Sequence, residues 1–300
     1  MNDAFVVVPM FFSKAEEMRS HYDTHFSNPG GNAGPSHQIW DYWHVPDLYT
    51  YLRTDPARVL PPAILEEFRK SLQEWSLRCL GLGGVSDPYL SLYVDGCGQG
   101  LHNDSGNGRW GYVFSLTRWD ERSFEGGETM LLKDIPYWDS RRFREPNAGI
   151  GFYDLIPARF NQLLVFDDRM IHAVRPLQGA MDPRRGRIVL HGHIAESGVH
   201  VNGPLSTEEV VSAFAPALAD FKTRIAEVRE GMHGFVSFRV DVKPEGQVGN
   251  IRLLCDRIAR TSPQGPEPSA LIDSLCSVLA KLQFANASSP TQITFPIRVG

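Results

Sequence analysis

Apolar and polar positions change period several times along this chain. Residues 1–60 carry short apolar runs broken by Gly, Pro and His, as in Ser27-Asn-Pro-Gly-Gly-Asn-Ala-Gly-Pro35, and are expected to form strand pieces and loops. From Pro61 to Leu80, Ile64, Leu65, Phe68, Leu72 and Trp75 recur at helical spacing, with Pro61 and Pro62 at the start and Gly81 past the end. That spacing predicts a helix packed on the outside of a sheet. Between Pro88 and Ile194 the pattern is short alternating segments separated by Gly, Asn, Asp and Pro, which favours an antiparallel sandwich or barrel. Leu131 to Phe160 reads as a polar and aromatic insertion between strands.

The pattern switches again after Gly203-Pro204. Ser206-Thr-Glu-Glu209 is a capping box, predicted to open a helix that runs to about Arg229. Gly234 to Lys243 alternates with period two, Pro244-Glu-Gly246 supplies a turn, and Gln247 to Leu254 reads as the returning strand. Pro268 to Leu282 is helical and Thr291 to Arg298 is a last strand. This order suggests a small α+β unit of its own. The expected division is a domain over 1–203, a connecting helix over 204–231 and the α+β domain over 232–300.

Composition narrows the function classes. Three hundred residues with 42% hydrophobic and 22% charged side chains suffice for a sizeable core and more than one domain. A net charge of −5 and scattered Lys and Arg argue against a nucleic-acid-binding surface. No apolar run approaches the ~20 residues that span a bilayer, and Met1-Asn-Asp-Ala-Phe-Val-Val-Val-Pro9 lacks the features of a secretory signal. Cys79, Cys97, Cys255 and Cys276 show neither metal-ligand spacing nor a disulfide framework. The expectation is a cytoplasmic protein that binds neither nucleic acid nor membrane.

The candidate chemistry lies in His102-Asn-Asp104, followed by His172 and Arg187. Side chains two apart on an extended segment point the same way, so His102 and Asp104 can meet one ion. His172 comes after the apolar Val165-Phe166 and would approach from a neighbouring strand. Two imidazoles and a carboxylate, with no thiolate, suit non-haem Fe(II) with one face open to O2 and a co-substrate. The flanking segments add specificity. They are Leu92-Tyr-Val-Asp-Gly-Cys-Gly-Gln-Gly-Leu-His-Asn-Asp104, Arg109-Trp-Gly-Tyr-Val-Phe-Ser-Leu-Thr117, Gly126-Gly-Glu-Thr129, Asn161 to Pro176, and Arg187-Ile-Val-Leu-His-Gly-His193.

In that order these segments resemble the 2-oxoglutarate- and Fe(II)-dependent oxygenases, particularly their prolyl-4-hydroxylase-like branch, over about residues 88–195. The resemblance implies a mainly β protein with a double-stranded β-helix (jelly roll) core and flanking helices. It implies Fe(II) on His102, Asp104 and His172, with 2-oxoglutarate and O2 as co-substrates and ascorbate as a reductant. Arg187 would bind the far carboxylate of 2-oxoglutarate through its planar fork of donors, and Tyr93 would face the same molecule. Arg184 and Arg185 fall in a Pro-containing loop and are expected to face solvent. His191 and His193 alternate onto the face of Arg187; with Arg109 they are candidate substrate-contacting or supporting groups.

Two details refine the chemistry. The segment Tyr112 to Thr117 lacks the tyrosine that some prolyl hydroxylases carry near its end. Halogenating relatives replace the carboxylate ligand with Gly or Ala, and Asp104 retains it, which favours hydroxylation. Three readings of function follow. One is a dioxygenase acting on a peptide or protein residue or an amino-acid-like small molecule. Another is a cupin-type iron dioxygenase that uses His191 or His193 as a third histidine ligand and needs no 2-oxoglutarate. The third is a non-catalytic barrel with a dimerisation module. Residues 232–300, with Gly246-Gln-Val-Gly-Asn250, Phe284 and Phe295-Pro296, resemble the C-terminal domains of TonB-type proteins, which implies a docking or homodimer-forming module rather than energy transduction.

Overall fold

Residues 3–27, 39–133, 152–227, 232–260 and 268–299 are described by a computed structural model. Its elements in chain order are β1 (Phe5–Val8), α1 (Ala15–Ser27), β2 (Asp41–Val45), β3 (Tyr49–Thr54), α2 (Pro62–Cys79), β4 (Gly84–Val85), β5 (Tyr89–Tyr93) and β6 (Gly98–His102). Then come β7 (Trp110–Ser115), β8 (Thr129–Leu132), β9 (Tyr153–Ile156), β10 (Gln162–Asp167), β11 (His172–Val174), β12 (Arg187–Ala195) and β13 (His200–Asn202). The last elements are α3 (Thr207–Glu227), β14 (Met232–Val242), β15 (Val248–Asp256), β16 (Ala259–Arg260), α4 (Pro268–Leu279) and β17 (Thr291–Val299). Two compact units emerge. One comprises Ala4–Ser71 and Val85–Ile194; the other is built from Leu72–Gly84 and the described residues from Ala195 onward.

In the first unit the strands follow the order β1-β10-β7-β12-β5-β3-β6-β11-β8-β9, with β2 added beside β3. β3 carries β2 along its length and divides its remaining pairing between two further strands, which is where the sheet curls. Its Leu52–Thr54 segment pairs with β5, and Tyr49 and Thr50 pair with β6. Period-two alternation then sorts side chains by face. Tyr49, Tyr51 and Arg53 of β3, Tyr89 and Tyr93 of β5, and Arg187, Val189, His191 and His193 of β12 all line one cavity of about 600 Å³. Their neighbours Leu90, Leu92, Ile188 and Leu190 are buried away from it. This is the expected mainly β, jelly-roll architecture.

The predicted helix on the outer face is α2. Phe68 is fully buried, with its ring 4.8 Å from that of Phe114 on β7 and 5.6 Å from that of Phe12. Burying one such side chain contributes roughly 1.5–3 kcal/mol. The expectation of strands and loops throughout 1–60 needs correction: Ala15–Ser27 is a 13-residue helix. Its buried stripe is Ala15, Met18, Arg19 and Tyr22, and an arginine within that stripe hides the apolar period. Arg19 tolerates burial because Nη1 donates to Leu116 O and Nη2 to Arg184 O, both at 2.6 Å, while Nε donates to Asp23. The Gly- and Pro-rich stretch 28–35 and residues 134–151 of the insertion lie outside the described residues. The flanks of the insertion, β8 and β9, pair with each other.

In the second unit β13-β17-β14-β15 form an antiparallel sheet, with β16 beside β14. Val210, Phe214, Ala217 and Phe221 of α3 and Ile272, Leu275 and Leu279 of α4 share one core with Val236, Phe238 and Val240 of β14 and Phe295 of β17. The capping box at the start of α3 is formed: Glu209 N donates to Ser206 Oγ at 3.2 Å, and Ser206 N donates to the Glu209 carboxylate at 2.8 Å. The turn at Pro244-Glu-Gly246 requires its glycine, since φ is +80° and a Cβ there would lie 2.1 Å from Phe284 O. Among the described residues no helix is long and apolar enough to cross a membrane.

Candidate metal centre

β6 and β11 are antiparallel, and their register places His172 opposite His102. The two ring centroids are 4.3 Å apart, and the Phe166 ring packs 4.6 Å from that of His172. Asp104 follows β6 directly, and its Oδ2 lies 3.4 Å from His172 Nε2. Its loop is pinned by Asp104 N donating to Asp168 O at 2.9 Å. One ligand atom from each of His102, Asp104 and His172 falls within 4.8 Å of the other two.

Hydrogen bonds behind the rings fix what these atoms can do. His102 Nδ1 lies 2.7 Å from Gly100 O, and His172 Nδ1 lies 3.0 Å from Met170 O. A carbonyl only accepts, so each Nδ1 carries the proton and each Nε2 presents a lone pair. Burial, reinforced by the neighbouring His172, holds His102 below the ordinary histidine value. Burial pushes the Asp104 carboxyl up, but the surrounding imidazoles, His172 foremost and then His102 and His193, outweigh it and keep the group low. Two imidazole Nε2 atoms and a carboxylate at one point are a donor set that fits a divalent metal such as Fe(II).

Across the same cavity, Arg187 is 1% exposed. Its Nη2 donates to Thr129 Oγ1 at 3.1 Å, and its guanidinium carbon lies 4.6 Å from the Tyr93 ring centroid. Nε has no hydrogen-bond partner, and among the described residues no carboxylate forms an ion pair with this cation. Burial disfavours charge, so it lowers the Arg187 pKa and raises that of Tyr93, whose phenol stays neutral beside the guanidinium. A buried guanidinium with a spare donor is a place for an incoming carboxylate.

The other sequence-derived candidates separate. His191 Nε2 is 2.8 Å from Ser91 Oγ, and burial together with Arg53 and Arg187 pushes its pKa down to about 3. His193 Nδ1 is 3.1 Å from Asp168, a fully buried carboxylate. Burial lowers the His193 pKa, but the Asp168 hydrogen bond and charge raise it overall. A Cβ at Gly108 or Gly111 would come within 2.9 Å of the Asp168 carboxylate, so these glycines make room for it. Asp104, Asp168 and His193 also gather three donor atoms, though here Nδ1 and the carboxylate already satisfy each other. Arg109 does not line the cavity; Arg184 and Arg185 are exposed, with Arg184 paired to Asp182.

No protein-family model matches the sequence, and no curated protein does. Solved structures that the chain matches include a prolyl-4-hydroxylase from Pseudomonas putida, at 14% identity and a TM-score of 0.43, covering 64% of this chain and 92% of that one. A prolyl hydroxylase from Trichoplax adhaerens, in complex with a hypoxia inducible factor peptide fragment, matches at 14% and 0.43, covering 63% and 81%. HygX from Streptomyces hygroscopicus, with nickel, 2-oxoglutarate and hygromycin B bound, matches at 12% and 0.42, covering 65% and 83%.

Several cavity residues escape the sequence reading. Arg53, Trp43, Tyr49 and Tyr51 come from β2 and β3, in a stretch with no recognisable motif. Asp168 is hidden because Asp167-Asp168 looks like a solvated turn. Both are buried: Asp167 pairs with Arg169 at 2.6 Å and Asp168 with His193 at 3.1 Å.

Proposed function

We propose that this chain is a non-haem Fe(II)- and 2-oxoglutarate-dependent dioxygenase that hydroxylates a C–H bond of a peptide residue or an amino-acid-like small molecule. The observation that carries the reading is one cavity holding both parts: two Nε2 lone pairs and a carboxylate converging at one point, and a buried, unpaired guanidinium elsewhere on its wall. His102, Asp104 and His172 would hold the iron, and the ion with its co-substrate supplies the oxidising chemistry, reducing O2 while 2-oxoglutarate becomes succinate and CO2.

The chain's own contribution is placement and electrostatics. Arg187 would bind the distal carboxylate of 2-oxoglutarate, oriented by Thr129 and by the Tyr93 ring. Gly100 O and Met170 O keep the histidines in the ligating tautomer. His191 stays neutral under the field of Arg53 and Arg187, so it adds no third positive charge to the pocket. His193 is held by Asp168 and faces the cavity where a substrate would lie. The likeness of residues 232–300 to TonB-type C-terminal domains, and with it a pairing role, rests on the sequence alone.

The test is succinate formation from 2-oxoglutarate by the Fe(II)-loaded protein in air, with peptide and amino-acid pools as substrate. In parallel, 2-oxoglutarate binding to the Mn(II)-loaded protein is measured by calorimetry. Metal-dependent binding and turnover are expected. A protein that binds metal but turns over an organic substrate without 2-oxoglutarate would favour the cupin-type reading, and one that binds neither would favour the non-catalytic one.

A further inference from the structure

Arg53 on β3 carries a second guanidinium into the cavity. Its carbon lies 3.3 Å from the centroid of the Tyr89 ring and 4.4 Å from that of Trp43. Rings over a guanidinium occupy its faces and leave the N–H donors in the plane, where Tyr51 takes one hydrogen bond and the rest of the fork remains. No carboxylate lies within ion-pair distance of Arg53 among the described residues. Asp87 lines the same cavity without reaching it. The charge is nevertheless felt there, since Arg53 is among the groups that depress His191.

Arg53, Trp43 and Tyr89 also form the wall shared with an adjoining cavity of about 620 Å³. That second cavity carries Asp41, Asp55, Glu66 and Asp87 against Arg53 and Arg69, and Arg69 is already paired with Glu66 at 3.1 Å. Its field therefore opposes a dianion and tolerates a monoanion best where Arg53 stands.

We propose that Arg53, held between Trp43 and Tyr89, recognises a carboxylate of the organic substrate and so restricts the enzyme to acids over their neutral analogues. The inference rests on the dioxygenase reading, in which Arg187 and the metal are taken by 2-oxoglutarate. Arg53 is then the guanidinium on the wall that no bound group occupies, and Asp87, the other charge left on the lining, does not pair with it. A substrate carboxylate is the group whose charge and planar shape Arg53 can meet. The planar fork matches it with two parallel hydrogen bonds.

The experiment uses full-length protein saturated with Mn(II) and 2-oxoglutarate, so that Arg187 and the metal are occupied and no turnover occurs. Binding of N-acetyl-tyrosine, N-acetyl-leucine, N-acetyl-proline and N-acetyl-lysine is compared with that of their primary amides and of phenyl phosphate. At least one acid is expected to bind about ten-fold or more tightly than its amide, the size of a charge-assisted hydrogen bond. Arg53→Met should abolish that advantage while leaving 2-oxoglutarate affinity and the circular dichroism spectrum unchanged; Arg53→Lys should keep part of it. Acids and amides binding alike, or not at all, would overturn the proposal, as would an acid preference that survives in Arg53→Met. Tighter binding of phenyl phosphate than of every acid would overturn the choice of carboxylate. Failure of wild-type protein to bind 2-oxoglutarate in the first step would instead strike at the dioxygenase reading.

Discussion

His102 and His172 face each other as register partners on adjacent antiparallel strands, with their rings 4.3 Å apart. Seventy positions of sequence separate them, yet each is backed by a backbone carbonyl two residues away in its own strand or turn. The pair is oriented before any ion arrives, which lowers the ordering cost of binding one.

Single replacement of His102, Asp104 or His172 by Ala is expected to weaken binding of Mn(II) by more than the roughly 10–100-fold that follows loss of a supporting contact. Calorimetry of the purified variants, alongside their circular dichroism spectra, measures it. Near-wild-type affinity in two of the three would move the metal elsewhere.

Arg187→Ala should weaken 2-oxoglutarate by about 2–5 kcal/mol, roughly 30-fold or more, because a buried carboxylate would lose its partner. The exposed Arg185 gives the control, and Arg185→Ala should leave affinity unchanged. The opposite result would mean that the strand register assigned to β12 is wrong in solution.

His191 contributes to stability in a defined pH window. Its pKa is about 3 in the folded chain and returns toward 6.5 on unfolding, so the unfolded chain takes up a proton that the folded one refuses. The stabilisation is complete above pH 6.5 and is lost progressively as pH falls toward 3. Urea unfolding between pH 7 and pH 4 should therefore show a shallower acid-side decline for His191→Gln than for wild type.

Asp168→Asn should lower the pKa of His193, because the carboxylate's hydrogen bond and charge hold it up against burial. Histidine proton resonances followed through a pH titration report this directly. An unchanged His193 titration would show that the 3.1 Å contact carries no charge coupling.

Much of the molecule was legible because burial writes a period into the sequence. The helical spacing from Ile64 to Trp75, the capping box at Ser206 and the alternation on either side of Pro244-Glu-Gly246 each depend on neighbours a few residues away, and each element formed within two or three residues of its expected ends. Helix α1 shows where this fails. Arg19 sits in the buried stripe, compensated by carbonyls at Leu116 and Arg184 that no local window contains.

The sequence by itself determined the strand-rich character of the first 195 residues, the α+β order that follows, and the short list His102, Asp104, His172 and Arg187. Those depend on residue type, spacing and periodicity, which are properties of the linear chain. Tertiary structure alone decided that β6 and β11 pair in the register that brings His102 to His172. It also decided that Arg187 is sealed with no ion-pair partner among the described residues, that the buried Asp168 meets His193 while the equally buried Asp167 meets Arg169, and that Arg53 enters the same cavity beside Trp43 and Tyr89. The reason is physical. Ligation, ion pairing and desolvation act through space over a few ångströms, and only a curled sheet brings residues 53, 102, 172 and 187 within reach of one cavity.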